Sequence, residues 1–163
     1  MTPDLTILKF CAEEVGRQYA LSREPEKAAH AVYWMMTAWE HARMTYKTYR
    51  TENEAKSSLS LDLIRKWGQM VEPQLNEQGW RTVGVRVGWE VCPSPDDVPR
   101  LLDRFGENLH AMTPEEAYIA FLKIHPFRDG NGRVAKIIYF WLRGKLDSPD
   151  IAEVPNPWGI RNP

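Results

Sequence analysis

Cysteine is scarce: the 163-residue chain holds only Cys11 and Cys92. Two cannot build the disulfide framework of a small secreted domain, so they read as reduced thiols. Neither charge sign is in excess, since 21 basic and 22 acidic side chains leave a net charge of −1. A nucleic-acid footprint needs a clustered basic surplus, so no nucleic-acid partner is expected. No apolar run approaches the roughly eighteen residues of a membrane span, and no membrane association is expected. The start, Met1-Thr2-Pro3-Asp4, lacks the basic and apolar regions of a secretory leader. A cytoplasmic location is the expectation. There is no internal repeat and no low-complexity segment. Strand-like alternation occurs in one stretch alone.

What is present is an ordinary globular mix, 43% hydrophobic and 26% charged. The length suits a single domain, residues 1–163, with a real core. Its core is expected over about 24–145, with an irregular Pro-rich tail over 148–163 pinned by Trp158. Helical periodicity dominates. Residues 4–20 predict a helix with Leu5, Leu8, Ala12, Val15 and Tyr19 on one stripe and Pro3 in its first turn. Ser22-Arg23-Glu24-Pro25 breaks the pattern. The next helix carries Ala28, Val32, Met35, Met36 and Trp39, with Ala31, Trp34 and Ala38 making a second apolar face. His30 and His41 lie on it without a thiol or acidic pattern and read as packed or solvent-facing. Residues 44–59 are polar and read as a solvated helix end or loop. Ser60 reads as an N-cap for Leu61, Ile64, Trp67, Met70 and Val71, which Pro73 ends.

Residues 80–91 change period. Val83, Val85, Val87 and Trp89 alternate with Gly84, Arg86 and Gly88, which predicts extended structure. A lone hairpin is marginal in water. Its open edge offers unpaired N–H and C=O groups to a partner strand. Ser94-Pro95-Asp96-Asp97 then predicts a helix start, followed by the stripe Val98, Leu101, Leu102, Phe105 and Leu109. Thr113-Pro114-Glu115-Glu116 reads as a capping box. Its helix ends at His125. A last helix follows, with Val134, Ile137, Ile138 and Trp141 on its stripe and Gly144 as its stop.

Between those two helices lies H-P-F-R-D-G-N-G-R-V-A-K, from His125 to Lys136. Gly130, Asn131 and Gly132 open a helix, and unpaired N–H groups at a helix start bind anions. Glycine lets a phosphate approach the backbone. Arg133 adds a forked cation suited to phosphate oxygens. Asp129 offers the hard oxygen that Mg²⁺ prefers. His125, with an ordinary pKa of about 6.5, is the candidate base.

That string resembles the signature of the Fic family, H-x-F-x-(D/E)-G-N-G-R-x-x-R. It matches from His125 through Arg133 and departs where the family has a second Arg and this chain has Lys136. A looser resemblance covers about residues 28–145. The resemblance implies an all-α fold, a helical bundle with one short β-hairpin flap. It implies transfer of AMP from ATP to a hydroxyl of a target protein. His125 would be the catalytic base, Asp129 would hold Mg²⁺, and Phe127 would anchor the loop. Gly130, Asn131, Gly132, Arg133 and Lys136 would bind the phosphates. The flap, Arg81, Thr82, Val83, Gly84, Val85, Arg86 and Val87, would hold the target by strand pairing. Related Doc proteins bind the nucleotide reversed and transfer the γ-phosphate. They have Lys where this chain keeps Gly132, which favours AMP. A non-catalytic interaction module is the third alternative. Many Fic proteins also carry (S/T)-x-x-x-E-(G/N), whose Glu pairs with the second Arg and blocks the γ-phosphate. Thr48-Tyr49-Arg50-Thr51-Glu52-Asn53 fits that pattern, so Thr48, Glu52 and Asn53 are candidate inhibitory residues and Lys136 the expected partner of Glu52. The alternative source of control is a separate antitoxin-like inhibitor protein, and a toxin role is one expectation.

Overall fold

The structure, a computed structural model, describes residues 4–19 and 25–156. The central element is the last helix. Every residue from Arg133 to Leu142 is buried, as a helix apolar nearly all round must be. Around this helix, α7 (Asn131–Arg143), pack α2 (Pro25–Lys47), α4 (Leu61–Val71) and α6 (Pro114–Ile124). The remaining helices are α1 (Leu5–Tyr19), which lies on α2, the short α3 (Glu52–Ser57), and α5 (Val98–Asn108), which lies on α6. The only strands among the described residues are β1 (Arg86–Val87) and β2 (Glu90–Val91). The chain is all-α.

Three tryptophans fill the middle: Trp39, Trp67 and Trp141 are fully buried. A buried indole N–H needs an acceptor. Trp39 donates to the Leu146 carbonyl and Trp141 to the Ala55 carbonyl, each at 2.9 Å. Trp67 donates to His41 Nδ1 at 3.3 Å, so His41 is a packed acceptor. His30 is exposed and stacks on Trp34. Gly144 ends α7 in the left-handed region, at φ 67°.

The contact face of α1 differs from the expected stripe. Leu5 is 78% exposed and Ala12 is exposed, while Ile7, Phe10, Cys11, Glu14 and Val15 are buried. Both stripes have helical spacing. Aromatic packing decides between them: the Phe10 ring lies 4.8 Å from Trp39 and 5.4 Å from Phe140. That rotation turns Glu14 inward.

The polar stretch 44–59 is more ordered than a solvated loop. Thr51 caps α3 by accepting from Glu54 N, and Ala55 and Leu59 are buried. Ser60 caps α4 as read, and the Thr113–Glu116 capping box opens α6. Ser94 makes no side-chain cap; a 3-10 turn over Pro95–Asp97 leads into α5 instead. The extended run is shorter than its alternation suggested. β1 and β2 pair antiparallel, Arg86 with Val91 and Val87 with Glu90, around Gly88 at φ 58° and a Trp89 that is 97% exposed. The expected break at Ser22–Glu24, Pro3 and the pinning residue Trp158 lie outside the described residues.

Candidate active site

α6 delivers His125 and α7 begins six residues later. His125 is the C-cap of α6, in the left-handed region at φ 51° and ψ 58°. It is half-buried, with Nδ1 3.3 Å from the Leu122 carbonyl. Burial pushes its pKa below the ordinary imidazole value; the Leu122 contact and Asp129 act the other way, while Arg81 adds to the lowering. A neutral imidazole at neutral pH follows.

Pro126 to Gly130 form the connecting loop, and three clamps fix it. Asn131 is buried and turns back: its Oδ1 accepts from Phe127 N at 2.9 Å and its Nδ2 donates to Phe127 O at 3.0 Å. Asn131 therefore contributes its side chain to the loop and only its N–H to an anion. The Phe127 ring is fully buried, tilted against Trp80 at 4.9 Å and seated where a side chain at Gly68 would stand. Asn76 Nδ2 donates to Asp129 O at 2.8 Å and to Gly68 O at 2.9 Å, tying the loop to α4.

Gly130, at φ 80°, is the N-cap of α7. The first-turn N–H groups of residues 131–133 have no intrahelical acceptor and form the cradle. A Cβ on Gly130 would fall 2.7 Å from Val71 Cγ2, so the approach of α4 requires glycine there. Asp129 accepts Gly130 N–H on Oδ1 at 2.6 Å, and its side chain is 36% exposed. Among the described residues no group of three metal-ligating side chains occurs. A single open carboxylate beside unpaired helix-start N–H groups still fits Mg²⁺, which keeps waters and takes one or two carboxylates plus substrate phosphates.

Arg133 is not free to reach out. Its side chain is fully buried, with Nη1 donating to Val71 O at 2.6 Å and Nη2 3.4 Å from Glu72 and 3.6 Å from Asp129. Nε has no hydrogen-bond partner among the described residues. Burial raises the Glu72 pKa against the lowering effect of Arg133.

Lys136 pairs with Glu14 of α1, Nζ to Oε1 at 2.7 Å, and lies 5.8 Å over the Tyr118 ring. The pairing expected with Glu52 is absent. Glu52 sits two turns further along, where a Cβ on Gly144 would meet its carboxylate at 3.3 Å, and its ion pair is with Lys56 at 3.4 Å. Thr48 hydrogen-bonds Thr45 O, and Asn53 is an exposed residue of α3. α3 reaches only the C-terminal end of α7, which rules the segment out as the acid over Lys136. Glu14 also lies 4.0 Å from where a Gly132 Cβ would stand, at the edge of the cradle.

Arg81 is the base of the flap rather than part of its outward face. It is 3% exposed and donates to His125 O at 2.7 Å, Val83 O at 2.9 Å and Pro93 O at 2.7 Å. Its own N–H donates to Pro126 O at 2.8 Å. Thr82, Val83 and Gly84 are exposed beyond it, Val85 is half-buried, and Arg86 and Val87 form β1. One guanidinium thus joins both ends of the flap to the His125 backbone.

A model of the Fic/DOC family matches residues 58–142, just over half of the chain. The chain belongs to the Fic/DOC family. The match takes in α4, the flap, α5, α6 and nearly all of α7, and so every element of the site except α1. No curated protein sequence matches the chain. Glu14, Glu72, Asn76 and the anchoring role of Arg81 were not foreseen from the Fic motif. Glu14 had a signal: it falls on the Ile7–Phe10–Cys11 face, where a carboxylate interrupts an apolar stripe. Glu72 and Asn76 follow α4 with no pattern to mark them.

Proposed function

We propose that this Fic protein transfers AMP from ATP to a hydroxyl side chain of a target protein. The observation that carries the reading is the junction of α6 and α7. A half-buried, neutral His125 stands one clamped loop away from a helix start whose N–H groups are open to phosphate.

The residues divide the work. The first-turn N–H groups of α7 hold the phosphate chain and keep it in line with the incoming hydroxyl. With Nδ1–H donating to Leu122 O, the His125 Nε2 lone pair accepts the hydroxyl proton. The hydroxyl oxygen bonds to the α-phosphorus, the bond to the β-phosphate bridging oxygen breaks, and pyrophosphate leaves. Mg²⁺ held by Asp129 would neutralise phosphate charge. The flap, fixed at its base by Arg81, presents an edge for the target strand.

Glu14 takes the inhibitory part first assigned to Glu52. Its carboxylate occupies Lys136 at the edge of the cradle, where the phosphate furthest from His125 would lie. This puts control inside the chain, on α1.

Incubation with α-labelled or γ-labelled ATP, Mg²⁺ and host lysate tests the reading. Protein label from the α position supports AMP transfer. Label from γ alone makes the protein a kinase of the Doc type. Label from neither, with no nucleotide bound, leaves a Fic-fold interaction module. No helix among the described residues is long and apolar enough to cross a membrane.

A further inference from the structure

Glu72 lies outside the catalytic motif, as the residue that closes α4. It is 6% exposed. Together with the Val71 carbonyl it determines where the Arg133 guanidinium points. Of the charged side chains of α4 itself, Asp62 and Arg65 pair with each other and Lys66 is exposed.

The charge balance around the cradle is unexpected for a phosphate site. Two cations, Arg133 and Lys136, are paired with three carboxylates, Glu14, Glu72 and Asp129. Ionised, these five side chains sum to one negative charge. Arg17, Lys27 and Arg128 are exposed, and solvent and salt screen them. Tyr19, whose hydroxyl is raised by burial, is neutral beside the cluster. The α7 N-terminus supplies only about half a positive charge. Arg81, buried beneath His125, adds one positive charge on the far side of the loop, so a polyanion meets paired side chains with no cationic surplus.

We infer that Glu72 is a positioning residue that fixes Arg133 and holds the cradle too negative to accept a phosphate chain unless a divalent cation enters with it. Asp129 is the ligand that such a cation would use. The inference rests on residues 130–133 being the phosphate cradle. It makes metal dependence a property set by α4 as well as by the motif itself. A Glu72 that merely braced the fold would act differently. Its loss would loosen Arg133 and weaken phosphate binding with metal and without it alike.

The probe is inorganic pyrophosphate, titrated calorimetrically into the full chain with Mg²⁺ or with excess chelator. The wild type is expected to bind it at least about tenfold more tightly with Mg²⁺, the size of effect one charge about 12 Å away produces at an effective dielectric of about 20. Glu72→Gln keeps the shape and an acceptor for Arg133 but removes the charge. Its metal-free affinity is expected to rise roughly tenfold, so that the dependence on Mg²⁺ shrinks. Glu72→Asp, which keeps the charge, should retain the wild-type ratio. Equal wild-type affinity with and without Mg²⁺ overturns the inference and requires no variant. So does a parallel fall of both affinities in a Glu72→Gln protein whose circular dichroism matches the wild type. Transfer from labelled ATP is scored separately. Its absence, with the pyrophosphate pattern as expected, would remove the proposed reaction and leave the role of Glu72 standing.

Discussion

Replacing Glu14 by Gln separates two consequences of one ion pair. The Glu14–Lys136 pair is short, 2.7 Å, and its side chains are 11% and 9% exposed. Removing one partner of a fully buried pair costs about 3–5 kcal/mol, because the other charge is left unpaired. Here the loss should be smaller. Lys136 lines a cavity of about 500 Å³ with Glu14, Arg17 and Tyr118, so its ammonium can take up water. About 1–3 kcal/mol is the expected loss of stability. For a chain of this size that is a fall in Tm of roughly 3–10 °C. Binding should move the other way. A released Lys136 offers a phosphate oxygen a charge-assisted hydrogen bond, about 1.5–3 kcal/mol, or ten- to a hundredfold in ATP affinity. The assay is a thermal melt and a calorimetric Mg·ATP titration on the same preparation. A protein that melts lower and binds ATP no better would refute the inhibitory reading and leave Glu14 a structural acid. Glu52→Gln is the companion measurement. Its carboxylate is 68% exposed, and both quantities should stay within about 0.5 kcal/mol of wild type.

His125→Ala is expected to lower transfer by about 10²–10⁴ while ATP binding persists, read by label incorporation beside calorimetry. Because burial holds the His125 pKa below about 6.5, the rate should rise with pH through a midpoint below that value and then level off; a midpoint above it in a pH–rate profile contradicts the burial argument. The same depression in His125 and His41 means that protonation favours the unfolded chain, so melting temperature should fall as pH drops below about 6.5 and level off at the lower folded values. Asp129→Ala should abolish Mg²⁺-dependent transfer or raise the Mg²⁺ requirement, and wild-type activity in excess chelator would show that no metal acts at this site. Gly68→Ala would force its methyl group into the Phe127 ring; a loss of about 3 kcal/mol or more in a urea melt is expected, with transfer falling together with folded fraction.

The residues that announce themselves in the sequence are those whose role is local. Thr113 and Glu116 cap α6 through groups three residues apart, and Gly144 ends α7 by its own φ. The cradle is likewise contained between Asp129 and Arg133. What stayed hidden depends on partners far along the chain. Arg81 reads as one more residue of an extended run, and only its bonds to His125 and Pro93 show it to be the anchor of the flap. Arg133 reads as a phosphate ligand, and the burial of its guanidinium against Val71 and Glu72 comes from the docking of α4. The face of α1 was ambiguous because two apolar stripes satisfy one period. The packing of Phe10 against Trp39 and Phe140, more than a hundred residues apart from each other, selects between them. Glu52 shows the converse error. A pattern in six consecutive residues matched, but α3 is placed at the wrong end of α7.

Among the described residues, His125 is the one non-glycine with a positive φ. A glycine at that helix end would adopt the left-handed turn freely, whereas a residue with a Cβ does so at a cost of roughly 1–2 kcal/mol. The most natural sequence for folding at this point is therefore not the sequence that can carry out chemistry. His125→Gly should yield a protein that melts higher than the wild type and transfers nothing. Random variation screened for thermal endurance alone would drift toward that glycine. On the proposed mechanism, the need for a base at this position opposes stability, and the left-handed turn at the end of α6 is where the two meet.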